Sequence, residues 1–140
     1  MIYRRETMRV FLDANILFSA SDLRSQTSKT LELLLYQNHE AVTSPYAWGE
    51  AQRNVIDKCP LLLTGLQRFQ GRVMLTDAIQ MLLDVEVEEK DKPILAGAIG
   101  ARCTHLWTGD KTHFGKFYGK KIQGVTVVHG IHLHALLASF

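Results

Sequence analysis

The sequence predicts an α/β fold, a central parallel sheet with helices on both faces, and three observations carry that expectation. Short apolar, β-favouring runs alternate with longer helix-patterned stretches, which argues for right-handed strand-helix-strand crossovers. The first run, Val10-Phe11-Leu12, is continuously apolar, as a strand covered on both faces must be. The 140 residues, 46% of them hydrophobic, match one domain with a sizeable buried core. One domain over residues 1–140 is therefore expected, with residues 1–7 as an N-terminal extension and Met8 as the functional start.

Val10-Phe11-Leu12 ends at Asp13 and is the expected central strand. Thr27 or Ser28 is placed to cap a helix over residues 29–37, where Leu31, Leu34 and Leu35 form an apolar stripe. Ala41-Val42-Thr43 is the next strand. Ser44-Pro45 then starts a helix, because serine caps and proline suits the first turn. On that helix Ala47, Ala51 and Val55 share one face, while Glu50, Arg53, Asn54 and Asp57 recur at three- and four-residue steps on another. Pro60 opens a further helix through Leu66 and Phe69, Gly71 closes it, and Val73-Met74-Leu75 reads as a strand. Asp91-Lys92-Pro93 begins a helix whose small, apolar interior from Ile94 to Ile99 suits close packing. His105-Leu106-Trp107-Thr108 is a strand entering the Gly109-Asp110 turn, and Val125 to Val128 is the last strand before a short C-terminal helix.

Composition narrows the function classes. No apolar run is long enough to span a bilayer, and MIYRRETMRV lacks the apolar stretch of a signal peptide, so a cytoplasmic protein is expected. Cys59 and Cys103 show no CxxC spacing and read as ordinary thiols of a reducing compartment. The net charge of +2 says little alone. Setting four candidate site carboxylates aside from the 14 acidic residues leaves ten against 16 basic ones, a balance that favours a polyanion. Lys111, Lys116, Lys120 and Lys121 cluster late in the chain and Arg4, Arg5 and Arg9 at its start; a solvated face is the plain reading of either.

Those carboxylates are Asp13, Glu50, Asp91 and Asp110. Asp13 and Asp110 each follow a strand, where α/β sheets bind ligands beyond the strands' carboxyl ends. Four acids gathered together repel, and a hard divalent cation with oxygen preference, Mg²⁺ or Mn²⁺, resolves the conflict. Each acid has a structural alternative as well: Asp13 as a turn residue, Asp91 as a helix cap.

VFLDANIL around Asp13, the helix with Glu50, KDKPILAGAI from Asp91, and LWTGDKTHFGK around Asp110 resemble, in order and spacing, the four acidic motifs of PIN-domain nucleases. The resemblance runs from Met8 over nearly the whole chain. It implies a five-stranded parallel sheet, Mg²⁺ or Mn²⁺ at the acidic cluster, and endonucleolytic cleavage of RNA. Many small members are VapC-type toxins held inactive by a cognate antitoxin, and many are homodimers. By this resemblance Asp13, Asp91 and Asp110 ligate metal, Glu50 completes the cluster and helps activate water, and Asn15 and Thr108 orient the carboxylates. This chain reads Asp110-Lys111-Thr112-His113 where the family often adds another acid, so one ion or two stays open. His113 and Lys111 are candidate substrate contacts; a loop histidine bonded to backbone is the alternative for His113.

His129, His132 and His134 have a zinc-like spacing without a fourth ligand, and a helix puts His134 on a different face. Trp48, Trp107, Tyr118 and Phe114 are either core residues or a base-stacking surface. A receiver domain needs an acidic pair after the first strand, where this chain has Leu12-Asp13. A haloacid-dehalogenase-like phosphatase needs an aspartate where Asn15 stands. The remaining alternative is a PIN-like module that binds RNA or protein without cutting.

Overall fold

The computed structural model describes residues 7–77 and 80–140. Arg4, Arg5 and all of the expected N-terminal extension except Thr7 lie outside them. The sheet has six strands: β1 (Arg9–Leu12), β2 (Glu40–Thr43), β3 (Met74–Leu75), β4 (His105–Trp107), β5 (Lys121–Ile122) and β6 (Val125–Val128). Their order is β3-β2-β1-β4-β6-β5, and all are parallel except β5, which pairs antiparallel with β6. The expectation of five parallel strands is thus corrected. Two residues, Gln123 (φ 47°) and Gly124 (φ 92°), join β5 to β6, and two successive positive φ angles make a tight hairpin. Glutamine is not the usual residue for the first of those positions, and a two-residue strand has no detectable alternation.

Seven helices are described: α1 (Ala14–Ala20), α2 (Gln26–Tyr36), α3 (Pro45–Lys58), α4 (Leu63–Arg68), α5 (Lys92–Gly100), α6 (Lys111–Phe114) and α7 (Gly130–Ala138). Ser44 caps α3 as expected, its hydroxyl accepting from the Ala47 amide. α2 begins earlier than expected, because Ser25 accepts from the Ser28 amide and draws Thr27 and Ser28 into the first turn. α1 and α6 have no counterpart in the sequence reading; both start directly on a candidate site aspartate, Asp13 and Asp110. Pro60–Leu62 is a 3₁₀ turn rather than the start of a long helix. Among the described residues no helix is long and apolar enough to cross a membrane. Cys59 and Cys103 are free, and burial pushes the Cys103 thiol up to about 11.

β1 lies at the centre with Val10, Phe11 and Leu12 wholly buried. The chain steps from β1 to β2 to β3 in one direction and then crosses to β4 on the other side of β1. Right-handed crossovers therefore place α1 to α4 on one face and α5 on the opposite face. α5 approaches closely through Gly97, whose missing Cβ would stand 3.1 Å from the Phe11 ring. A tighter approach joins α4 to the end of α1: a Cβ on Gly65 would fall 1.8 Å from the Ser21 carbonyl oxygen.

That contact is with backbone and cannot be relieved by a rotamer change. Gly65→Ala is expected to destabilise the protein by about 1–3 kcal/mol or more, seen as a lowered midpoint of thermal unfolding. An unchanged midpoint would show that α4 and α1 do not meet this closely.

Candidate metal centre

β1 pairs with β4 in the register Leu12↔Trp107, and the strand order reverses between them. The residues that follow the two strands, Asp13 and Thr108 to Asp110, therefore meet at one point, where α/β sheets bind ligands. A cleft of about 260 Å³ opens there. Asp13, Glu50, Asp91 and Asp110 all line it, with Asn15, Asn54, Lys58 and Lys90. Glu50 comes from the second turn of α3 and Asp91 from the start of α5, both at the carboxyl edge of the sheet.

Asp13 is held from three sides. Its Oδ1 accepts from the Ala14 amide at 2.7 Å, which starts α1. Its Oδ2 accepts from the Thr108 hydroxyl at 2.9 Å and from Asn15 Nδ2 at 3.3 Å. Thr108, wholly buried, also accepts from the Asp110 amide at 3.1 Å, and Asn15 Oδ1 accepts from the Gly109 amide at 2.9 Å. These two side chains thus couple the ends of β1 and β4. Tyr118 adds a bond from its hydroxyl to the Thr108 carbonyl at 3.0 Å.

Asp110 caps α6 by accepting from the His113 amide at 3.1 Å. That turn swings the His113 ring inward, toward carboxylates rather than backbone: Nδ1 stands 2.9 Å from Asp110 Oδ2 and 3.2 Å from Asp91 Oδ2, and Nε2 lies 3.5 Å from Glu88 Oε2. Neither Nδ1 contact has hydrogen-bond geometry, and His113 Nδ1 and Asp91 Oδ2 are buried without a partner. Asp91 occupies the cap position of α5, yet its side chain makes no capping bond.

Burial pushes the Asp13 carboxyl up from 3.8 to about 6; the Thr108 and Ala14 hydrogen bonds oppose the rise, and the charges of Glu50 and Asp91 add to it. Asp91 is also raised, first by burial, against the pull of His113 and with the push of Asp110. Two buried acids that resist ionisation, one with an orphaned oxygen, are a donor set that a divalent cation satisfies. Among the described residues, the ligand atoms that all lie within 4.8 Å of one another are those of Glu88, Asp91 and His113; Asp13, Glu50 and Asp110 line the same cleft as Asp91 without closing to that distance as a group. Mixed carboxylate and imidazole ligands suit Mn²⁺ better than Mg²⁺.

Lys111, a predicted substrate contact, faces a different cavity. Glu88, Lys58 and Lys90 also belong to the site, beside its four motif acids. Lys58 had a signal: Glu50, Asn54 and Lys58 are four residues apart on α3 and face the cleft together. Glu88 had only its three-residue spacing from Asp91. The three late histidines are engaged elsewhere: His129 caps α7 through Nδ1, to which the His132 amide donates, and His134 Nδ1 lies 3.4 Å from the Thr30 hydroxyl. Trp107 and Phe114 are wholly buried, while Trp48 and Tyr118 are partly so.

No protein-family model and no curated protein matches the sequence. Among solved structures, the fold matches a chain of VapBC2 from Rickettsia felis bound to a DNA fragment from their promoter. That likeness has a TM-score of 0.63 and 19% identity, covering 87% of this chain and 98% of the other. It also matches a chain of FitAB bound to an IR36 DNA fragment, with a TM-score of 0.54 and 16% identity over 86% of this chain and 94% of the other.

Because the folded Asp13 carboxyl binds its proton more tightly than the unfolded one, it stabilises the metal-free protein below about pH 4. That contribution is lost as pH rises through about 6. The shift corresponds to about 3 kcal/mol. In EDTA at pH 7, Asp13→Asn should therefore melt at a higher temperature than the unsubstituted protein, and Mn²⁺ should stabilise the latter more. A lower melting temperature for Asp13→Asn under those conditions would contradict the electrostatic account.

Proposed function

We propose that this chain is a PIN-type, divalent-metal-dependent endoribonuclease, one nuclease domain acting as the toxin of a toxin-antitoxin pair. The observation that carries the reading is the convergence of Asp13, Glu50, Asp91 and Asp110 on one cleft at the switch point of the sheet. The likeness in fold to VapBC2 and FitAB supports it, since VapC-type proteins are the family that the motifs resemble. A cognate antitoxin, an RNA substrate and a homodimeric, cytoplasmic state belong to the same proposal.

In this reading Asp13, Asp91 and Asp110 hold Mg²⁺ or Mn²⁺, with Glu50 completing the set. An ion held there would make a water easier to ionise and would offset charge on the phosphoryl oxygens. The protein's own residues do the rest. Thr108 and Asn15 keep the Asp13 carboxylate aimed, at no further cost when substrate arrives. Glu50, half-exposed at the cleft, accepts the proton of the attacking water. Lys58 and Lys90 offset the backbone charge of the RNA on either side of the bond that is cut. His113 and Glu88 add ligand atoms beside Asp91, where the family's further acid is missing.

Purified protein is expected to cut single-stranded regions of RNA in Mg²⁺ or Mn²⁺, and EDTA or Asp13→Asn to stop it. Equal cleavage by Asp13→Asn would overturn the site. Thr108→Val, which leaves every ligand in place, should lose about 10- to 100-fold in metal affinity or activity. For the toxin role, expression should arrest growth with the natural sequence and not with Asp110→Ala; growth unaffected by either would count against it.

A further inference from the structure

On the far side of the Asp110 turn lies a second cavity, of about 530 Å³, that the reaction above does not use. The chain itself forms the partition: of three consecutive residues, Asp110 lines the cleft while Gly109 and Lys111 line the cavity. The two spaces are therefore neighbours across one residue of backbone. Tyr118 and His129 form part of the wall, their rings edge-to-face at 5.0 Å, and Thr30 contributes a hydroxyl. Its volume lies in the range of small-molecule pockets, about 300–1,000 Å³.

One wall atom has no structural explanation. Trp107 is wholly buried and its indole Nε1 has no hydrogen-bond partner, although a buried N–H normally finds one. Gly130, also in the cavity wall, is the residue next to it: a Cβ there would stand 3.6 Å from Nε1 and meet nothing else within 4 Å. A methyl group fits at ordinary contact distance, so packing does not explain the glycine. The donor itself is closed to solvent, and at Gly130 no side chain stands over it.

We propose that this cavity binds a nucleobase of the RNA strand next to the bond that is cut, and that the wall at Gly130 gives way enough for Trp107 Nε1 to donate to an acceptor atom of the base. The assignment of RNA rests on the ribonuclease reading above. Every nucleobase carries a ring face for the aromatic wall and an acceptor for the indole. Exposed Lys111, in the cavity wall next to Asp110, meets the linking phosphate. A strand crossing the Asp110 turn would thus present its phosphate to the carboxylate cleft and an adjacent base to Trp107. An apolar peptide side chain would use the walls but not the N–H.

The chain has two tryptophans, so Trp48→Phe leaves Trp107 as the sole indole reporter. In EDTA, this protein is titrated with each of the four ribonucleoside 3′-monophosphates. A saturable change in Trp107 emission is expected with at least one of them. Gly130→Ala, which suits a helix better than glycine, should weaken that binding at least tenfold, and Lys111→Ala should reduce monophosphate affinity to that of the parent nucleoside. Gly130→Ala is checked by its unfolding midpoint; should it fold poorly, the exposed Lys111 variant decides. No saturable change with any nucleotide overturns the proposal, as does undiminished binding in a folded Gly130→Ala protein or monophosphate binding indifferent to Lys111→Ala. Cleavage assayed separately keeps the two readings apart. RNA cut by a protein whose cavity binds no nucleotide overturns only the cavity, and nucleotide binding without cleavage overturns only the nuclease.

Discussion

The Thr108 hydroxyl, donating to Asp13 and accepting from the Asp110 amide, is the interaction on which the site depends. It joins the ends of two strands that are 95 residues apart in sequence. It can do so because β1 and β4 are hydrogen-bonded neighbours and both point their carboxyl ends to the same edge. At that edge the chain departs in opposite directions, leaving a gap that no crossover connection fills. The gap is the cleft. Asn15 repeats the coupling with the Gly109 amide, so two polar side chains hold two aspartates in one geometry.

The same arrangement accumulates electrostatic strain. Asp13 and Asp91 are both more than nine-tenths shielded from solvent, and each feels other carboxylates across the cleft. Hydrogen bonds offset part of the cost for Asp13. Asp91 has none on Oδ2, and the nearby His113 ring is turned so that it does not supply one. A protein tolerates such a group when something else compensates it, and here the compensation is best supplied by a cation. The lysines at the rim, Lys58 and Lys90, are placed for a ligand of the opposite sign to that cation. The cleft thus combines buried acids, Asp13 and Asp91, with exposed bases, Lys58 and Lys90.

The Asp110 turn has a double function in this geometry. Its aspartate faces the cleft and caps α6, which brings His113 to Asp91. Its flanking residues face the second cavity, where the unpaired indole of Trp107 and the open position at Gly130 meet. A backbone strand laid across this turn touches both spaces. The burial of Trp107 suits a core residue, while its unpaired N–H is not explained by packing.

Local pattern carried most of the elements. The apolar run Val10 to Leu12, the Ser44-Pro45 helix start and the small-residue helix from Lys92 each depend on neighbours within a few positions, and all are found as expected. The β5–β6 hairpin and the short α6 were not legible, because two- and four-residue elements have no period to read. The sequence by itself determined the α/β class, the strand-end positions of Asp13 and Asp110, and the polar stripe bearing Glu50. Only the tertiary structure decided that the strand order reverses between β1 and β4, that Glu88 and His113 join Asp91, and that Lys111 and Trp107 face a separate cavity. The physical reason is distance along the chain: side-chain spacing is set within one or two turns, whereas these juxtapositions depend on strand pairing across some 95 residues.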